Sequence, residues 1–147
     1  MIVPLNTPAE VESFADLPQV ERLVIGTDNV PVGRYTRDVL GLAGQRFGAN
    51  FESQVMERVV SEESNVRLAR AKVELGEADA AIVYRSDAVL SDQVRSFSIP
   101  DELNVDADYL IGMLLGTQAS DLAEAWIDYV LSTSSQKVFD QYGFVSP

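Results

Sequence analysis

Cysteine and histidine are both absent from the 147 residues. Without cysteine no disulfide framework can form, and thiols give no clue to the compartment. Without either residue the usual zinc, copper and haem ligand sets cannot be assembled, so no metal or cofactor is expected. Ser-His and Cys-His nucleophile pairs are excluded as well. Basic residues are scarce: 11 Lys and Arg stand against 23 Asp and Glu, a formal net charge of −12. Phosphate backbones need a basic face, so nucleic acid is not an expected partner. Any small anion must be held by local dipoles against the chain's own field. No apolar run reaches the length of a membrane span, and membrane insertion is not expected. The opening residues 1–8 lack the basic n-region and apolar h-region of a signal peptide. If Met1 is the native start, this places the chain in the cytoplasm; otherwise it is a mature or shortened product.

What is present suits one domain. The chain is 46% hydrophobic and 23% charged, enough apolar material for a core and too little charge for bulk disorder. Thr7-Pro8-Ala9-Glu10 reads as a capped helix start that carries Val11 and Phe14 inward and stops before Pro18. Leu23-Val24-Ile25 reads as a buried strand. A helix over residues 33–47 places Tyr35, Val39, Leu42 and Ala43 on one stripe, and Gly48 ends it. Asn50-Phe51 opens a short helical turn, residues 55–60 lead into a strand, and Ser61-Glu-Glu-Ser64 begins a helix that stops at Gly76. Residues 78–84 are small and apolar, the pattern of a central strand covered on both faces. Ser86-Asp87-Ala88 starts another turn; residues 94–99 and 109–115 read as strands, with a loop at 100–104 between them. Two helices finish the chain, over 121–131 with Leu122, Trp126 and Tyr129 inside, and over 134–142 with Val138 and Phe139 inside. Strands alternating with helices predict an α/β fold with a mixed, mostly parallel sheet.

Three strand-to-helix junctions carry the candidate chemistry. In the first, Val30-Pro31-Val32-Gly33-Arg34-Tyr35, Pro31 presets φ and Gly33 permits close backbone approach. The amides of Val32, Gly33 and Arg34 then lie at a helix N-terminus, where orphan N–H groups favour an anion. The second is Glu63-Ser64-Asn65-Val66-Arg67, and the third is Tyr84 at the end of Ala81-Ile82-Val83. In parallel α/β sheets ligands bind at the carboxyl ends of strands, so all three can share one cleft edge. Backbone amides and a phenol suit a tetrahedral dianion, whose oxygens only accept hydrogen bonds. Each element also has a purely structural reading: a turn, a cap, a core aromatic, and in Arg34 and Arg67 solvated or paired cations. Glu62, Glu63, Asp79 and Asp87 are candidate acids, but no nucleophile-base pair accompanies them, and no enzyme is expected.

Taken in order, Val30-Pro-Val-Gly-Arg-Tyr35, Glu63-Ser-Asn-Val-Arg67, the stretch Gly76-Glu-Ala-Asp-Ala-Ala-Ile-Val-Tyr84-Arg-Ser-Asp-Ala88, and Tyr142-Gly-Phe144 resemble the molybdate-binding protein of bacterial ABC transporters. The resemblance implies a periplasmic-binding-protein type II fold and a periplasmic or extracellular location. It implies molybdate or tungstate as ligand and a transporter permease as partner. It assigns oxyanion contacts to the amides of Val32 and Val66 and to the Tyr84 hydroxyl, with Pro31, Gly33, Arg34 and Asn65 in support. It also implies that the family's N-terminal third is missing, and with it the Ser or Thr segments that complete the oxyanion cage. On this reading residues 21–99 form the complete second lobe. Residues 1–20 are a hinge strand and first-lobe remnant, and 100–147 are the hinge return and C-terminal helices of an incomplete first lobe. The family's Tyr-Pro near the second hinge is replaced by Asp108-Tyr109-Leu110. The apolar stripes of the last two helices then need another surface, and a homodimer or domain-swapped dimer supplies one. Two further functions stay open: a non-binding assembly domain or split-chain partner, and a ligand-sensing domain of a cytoplasmic regulator.

Overall fold

Alternation along short strands sorts the apolar side chains of residues 1–105 onto two faces of one sheet. The computed structural model describes residues 1–6 and 11–146, so the helix start read at Thr7–Glu10 lies outside the described residues. The strands are β1 (Ile2–Pro4), β2 (Leu23–Gly26), β3 (Val59–Glu63), β4 (Ala80–Ala81) and β5 (Val94–Ser96). Their order is β3-β2-β4-β1-β5. β2 pairs in parallel with β3 and β4, whereas β1 runs antiparallel to β4 and β5. Four of the five strands therefore share one direction: the sheet is mixed and mostly parallel. Val3, Leu23 and Ile25 face one core; Ile2, Val24 and Ala81 face the other. This is the period-two pattern of a sheet covered on both sides.

Each face is closed by helices. α1 (Pro31–Phe47) and α2 (Phe51–Met56) lie on the first face, with Val39, Leu40 and Val55 in its core. α3 (Val66–Glu74) lies on the second, with Ala69 and Val73 buried. A short helix, α4 (Arg85–Ala88), follows β4. The buried stripe of α1 is Val32, Thr36, Val39, Leu40 and Ala43; Tyr35 is half-buried and Leu42 is exposed, so the expected stripe is displaced. Thr36 is tolerated inside because its hydroxyl donates to the Val32 carbonyl at 2.7 Å. Gly48 ends α1 at φ 109° and Gly76 follows α3 at φ 72°, both as expected of C-terminal glycines.

Residues 1–20 belong to this first unit, Met1–Val105. β1 sits between β4 and β5, and Val11, Phe14, Leu17 and Val20 are buried in the first-face core. Phe14–Gln19 is a 3-10 helix that runs through Pro18 rather than stopping before it. It starts at Ser13, where the Asp16 carboxylate accepts from the Ser13 amide and hydroxyl and from the Glu12 amide.

Two other expectations are corrected. Val55 and Met56 are helical, and Ser61–Glu63 extend β3 instead of opening a helix, which begins only at Val66. β3 is an edge strand, so alternate polar side chains can point to water while the backbone pairs with β2. A register shift between Leu23 and Val24 accommodates the extra residue Val60.

The second unit, Asp106–Pro147, contains α5 (Ser120–Leu131) and α6 (Thr133–Gln141). Residues 109–115 form no strand, and Leu110, Leu114 and Leu115 are exposed. The helices form where the sequence places them, with Ser132 capping α6. Their apolar stripe is not buried: Leu122, Trp126, Tyr129, Val138 and Phe139 are all exposed. Trp126 and Tyr129 contact each other at 5.7 Å, and Phe144 packs edge-on against Tyr109 and Phe139. No helix among the described residues is long and apolar enough to cross a membrane.

Candidate functional site

The three junctions lie at the carboxyl ends of three adjacent parallel strands. β2 leads to α1, β3 to α3 and β4 to α4, and β2 lies between the other two. The chain leaves β2 toward the first face and leaves β3 toward the second. Neighbouring strands that send their helices to opposite faces create a crevice at their carboxyl ends, the usual ligand position in open α/β sheets. The starts of α1 and α3 border that crevice.

Not every amide of the first junction remains a free donor. Pro31 has none. The Gly33 and Arg34 amides both donate to the Val30 carbonyl, at 3.1 and 3.3 Å. The Val32 amide, second in the helix, has no intrahelical acceptor. In α3 the Asn65 side chain caps the Leu68 amide at 3.1 Å, leaving Val66, first in the helix, without an intrahelical acceptor. Tyr84 occupies the N-cap position of α4 and is half-buried. Its ring meets Tyr35 edge-on at 6.5 Å, which ties the third junction to the first turn of α1. The Thr27 amide donates to the Glu63 carbonyl at 2.9 Å, tying the first junction to the second.

The close backbone approach at Gly33 is to the end of its own strand. A Cβ there would lie 2.0 Å from the Thr27 carbonyl oxygen and 2.5 Å from that of Gly26. The missing side chain lets α1 start directly against the end of its own strand. Arg34 is exposed, and its Nη1 donates to the Asp28 carbonyl at 3.3 Å.

The candidate acids are engaged structurally. Glu62 pairs with Arg37 at 2.9 Å, and Asp79 takes the Arg22 guanidinium at 2.6 Å together with the Arg22 amide. Glu63 accepts from Lys72 and from Ser61, and these hydrogen bonds hold its carboxyl below the usual carboxylate range. Burial pushes the Asp87 carboxyl up, while the charges of Arg70 and Arg67 act in the opposite sense.

Sequence reasoning did not single out Arg37, although it sits one helical turn after Gly33. Its guanidinium meets four acceptors: Gly26 O at 3.1 Å, Gly33 O at 3.0 Å, Asp28 Oδ1 at 2.6 Å and Glu62 Oε1 at 2.9 Å.

A family model described as bacterial extracellular solute-binding protein matches residues 1–145. A Bacillus subtilis protein named as an ABC transporter substrate-binding lipoprotein, YvgL, is 30% identical over 151 residues, covering 99% of this chain and 54% of that protein. The molybdate-binding protein ModA of Mycobacterium tuberculosis is 30% identical over 149 residues, covering 100% of this chain and 53% of the relative. The chain spans about half the length of these curated relatives. Among solved structures, the substrate-binding domain of a molybdenum ABC transporter from Clostridium difficile superposes with a TM-score of 0.84 at 24% identity, over 99% of this chain and 62% of the other. Peb3 from Campylobacter jejuni superposes with a TM-score of 0.72 at 18% identity, over 97% and 62%. At these identities the superpositions establish the fold.

Proposed function

The chain belongs to the bacterial extracellular solute-binding protein family, and on that premise we propose that its three strand-end donors bind a tetrahedral dianion, molybdate or tungstate, for uptake by an ABC transporter. The family consists of solute-binding components rather than enzymes. The observation that carries the ligand class is the meeting of the Val32 and Val66 helix starts and the Tyr84 phenol along one edge, β3-β2-β4. Amides and a phenol discriminate an acceptor-only anion from protonated or cationic solutes without a counter-charge. Relatives named for molybdate binding support the choice of anion. On this reading the first unit contains the family's second lobe, and the second unit belongs to its first.

Three donors form half of a cage, and weak binding is expected of this chain by itself. Charge-assisted hydrogen bonds contribute about 1.5–3 kcal/mol each, so the lack of several of them weakens Kd by several orders of magnitude. An NMR titration with sodium molybdate is expected to shift the Val32 and Val66 amides, with sulfate as the parallel anion. Tyr84→Phe is expected to weaken binding by roughly 10- to 100-fold. Shifts that bypass both amides, or none at about 10 mM molybdate, a level at which millimolar sites fill, would overturn the reading.

A second reading rests on the exposed stripe of α5 and α6. Leu122 is 73% and Trp126 59% exposed in the single chain. Faces of this kind drive association. An assembly role predicts a homodimer, exchanged or not, that covers Trp126 and Phe139. Light scattering that reports only monomer at micromolar concentration overturns it.

A further inference from the structure

We infer that Arg37 is the positioning residue of the oxyanion site: its guanidinium anchors the β2–α1 loop that presents the Val32 amide, and it offsets one of the two carboxylate charges it pairs with, Asp28 and Glu62. The inference rests on the oxyanion reading for its consequence and on geometry for its substance.

One side chain on α1 spans three elements. Nη1 bridges Gly26 O, the last residue of β2, and Gly33 O, in the first turn of α1. Nε meets Asp28 Oδ1 in the loop between them. Nη2 reaches Glu62 near the end of β3. The segment 27–32 is thereby closed at both ends by a single planar fork whose geometry lysine cannot reproduce. Arg37 is 25% exposed at its side chain, against 71% for Asp28 and 40% for Glu62. The cation is the sheltered member of the trio and the two acids are the wet ones.

Arg37 acts through its charge as well as through its fork. The chain carries a formal charge of −12. An incoming dianion at the α1 start meets Asp28 four residues before Val32 and meets Glu62 on the neighbouring strand end. Unpaired, both carboxylates repel it, to an extent that salt screens. Paired through Arg37, the trio carries one net negative charge instead of two.

Two measurements on the full chain test this. Amide hydrogen exchange without ligand is expected to quicken about tenfold across residues 27–34 in Arg37→Gln, while α2 and α3 keep their protection. In molybdate titrations the same variant is expected to bind about tenfold more weakly at moderate salt, and weaker still as salt is lowered, because repulsion is then less screened. Removing all three charges in Arg37→Gln/Asp28→Asn/Glu62→Gln abolishes that salt dependence without restoring slow exchange. Arg37→Lys, which keeps the charge and loses the fork, quickens exchange with the salt dependence of the unaltered chain. A purely structural arginine does not produce this division. Unchanged exchange over 27–34 in Arg37→Gln overturns the anchor, whatever molybdate does. Failure of the unaltered chain to bind molybdate overturns the oxyanion reading and Arg37's role in it, and quickened exchange then still supports the anchor.

Discussion

Phe14→Ala is expected to lower the unfolding free energy by about 3–5 kcal/mol, the usual cost of truncating a buried phenylalanine. The ring is 1% exposed and sits in a cluster with Phe47 at 6.2 Å and Phe51 at 5.8 Å, themselves 4.9 Å apart. Three elements meet there: the 3-10 helix, the end of α1 and the start of α2. The hole left by alanine cannot close easily, because the 3-10 turn is fixed by the Ser13–Asp16 box on one side and holds Pro18 on the other. A typical domain has only about 5–15 kcal/mol in total, so the change removes a large fraction of it. Urea unfolding followed by far-ultraviolet circular dichroism measures it. The result bears on organisation as well as stability. A loss within about 0.5 kcal/mol, the range of surface substitutions, would mean that the segment before β2 is only loosely attached to the sheet.

Which features were legible in the sequence follows from how local their causes are. β2 announces itself as Leu23-Val24-Ile25, and β4 as a small apolar run, because both are covered on two faces and need no polar alternation. Asn65, Gly48 and Gly76 mark helix ends through chemistry confined to one turn. Ser61–Glu63 misled because polar residues suit a helix start as well as an edge strand; only the pairing with β2 decides. Residues 109–115 have strand-forming side chains but no strand beside them among the described residues, and a strand is a property of a pair. The helical form of α5 follows from its own periodicity, whereas its burial depends on a facing surface. The candidate site divides the same way. The Pro-x-Gly turn and the Asn cap could be placed at junctions from sequence. That the Gly33 and Arg34 amides are consumed by Val30, and that Arg37 reaches Glu62 25 residues away, required the register of β2 against β3.

Gly33→Ala is the substitution expected to damage fold and site together, and α1 contains its own control. Gly33 does not adopt positive φ, so an alanine there is not strained by its dihedrals. The obstacle is steric. Its Cβ would lie 2.0 Å from Thr27 O, 2.5 Å from Gly26 O and 2.6 Å from the Thr27 carbonyl carbon, all main-chain atoms that no rotamer change can move. Relief requires the start of α1 to lift from the end of β2. Overpacking of a rigid site costs about 1–3 kcal/mol and more where backbone must shift, so a loss of at least about 3 kcal/mol is expected. The lift also displaces the Val32 amide and breaks the Arg37 bonds to Gly26 and Gly33, so molybdate binding is expected to vanish even in the fraction that remains folded. Gly41, about two turns further along α1 and exposed, has nothing within 4 Å of its would-be Cβ. Gly41→Ala is expected to raise stability by about 0.5–1 kcal/mol through helix propensity alone. Opposite signs from the same chemical change in one helix separate a tight backbone crossing from ordinary glycine flexibility. Thermal unfolding of the two variants side by side measures the difference. Equal effects at the two positions would remove the close β2–α1 crossing, and with it the geometric basis for holding the Val32 amide at the crevice.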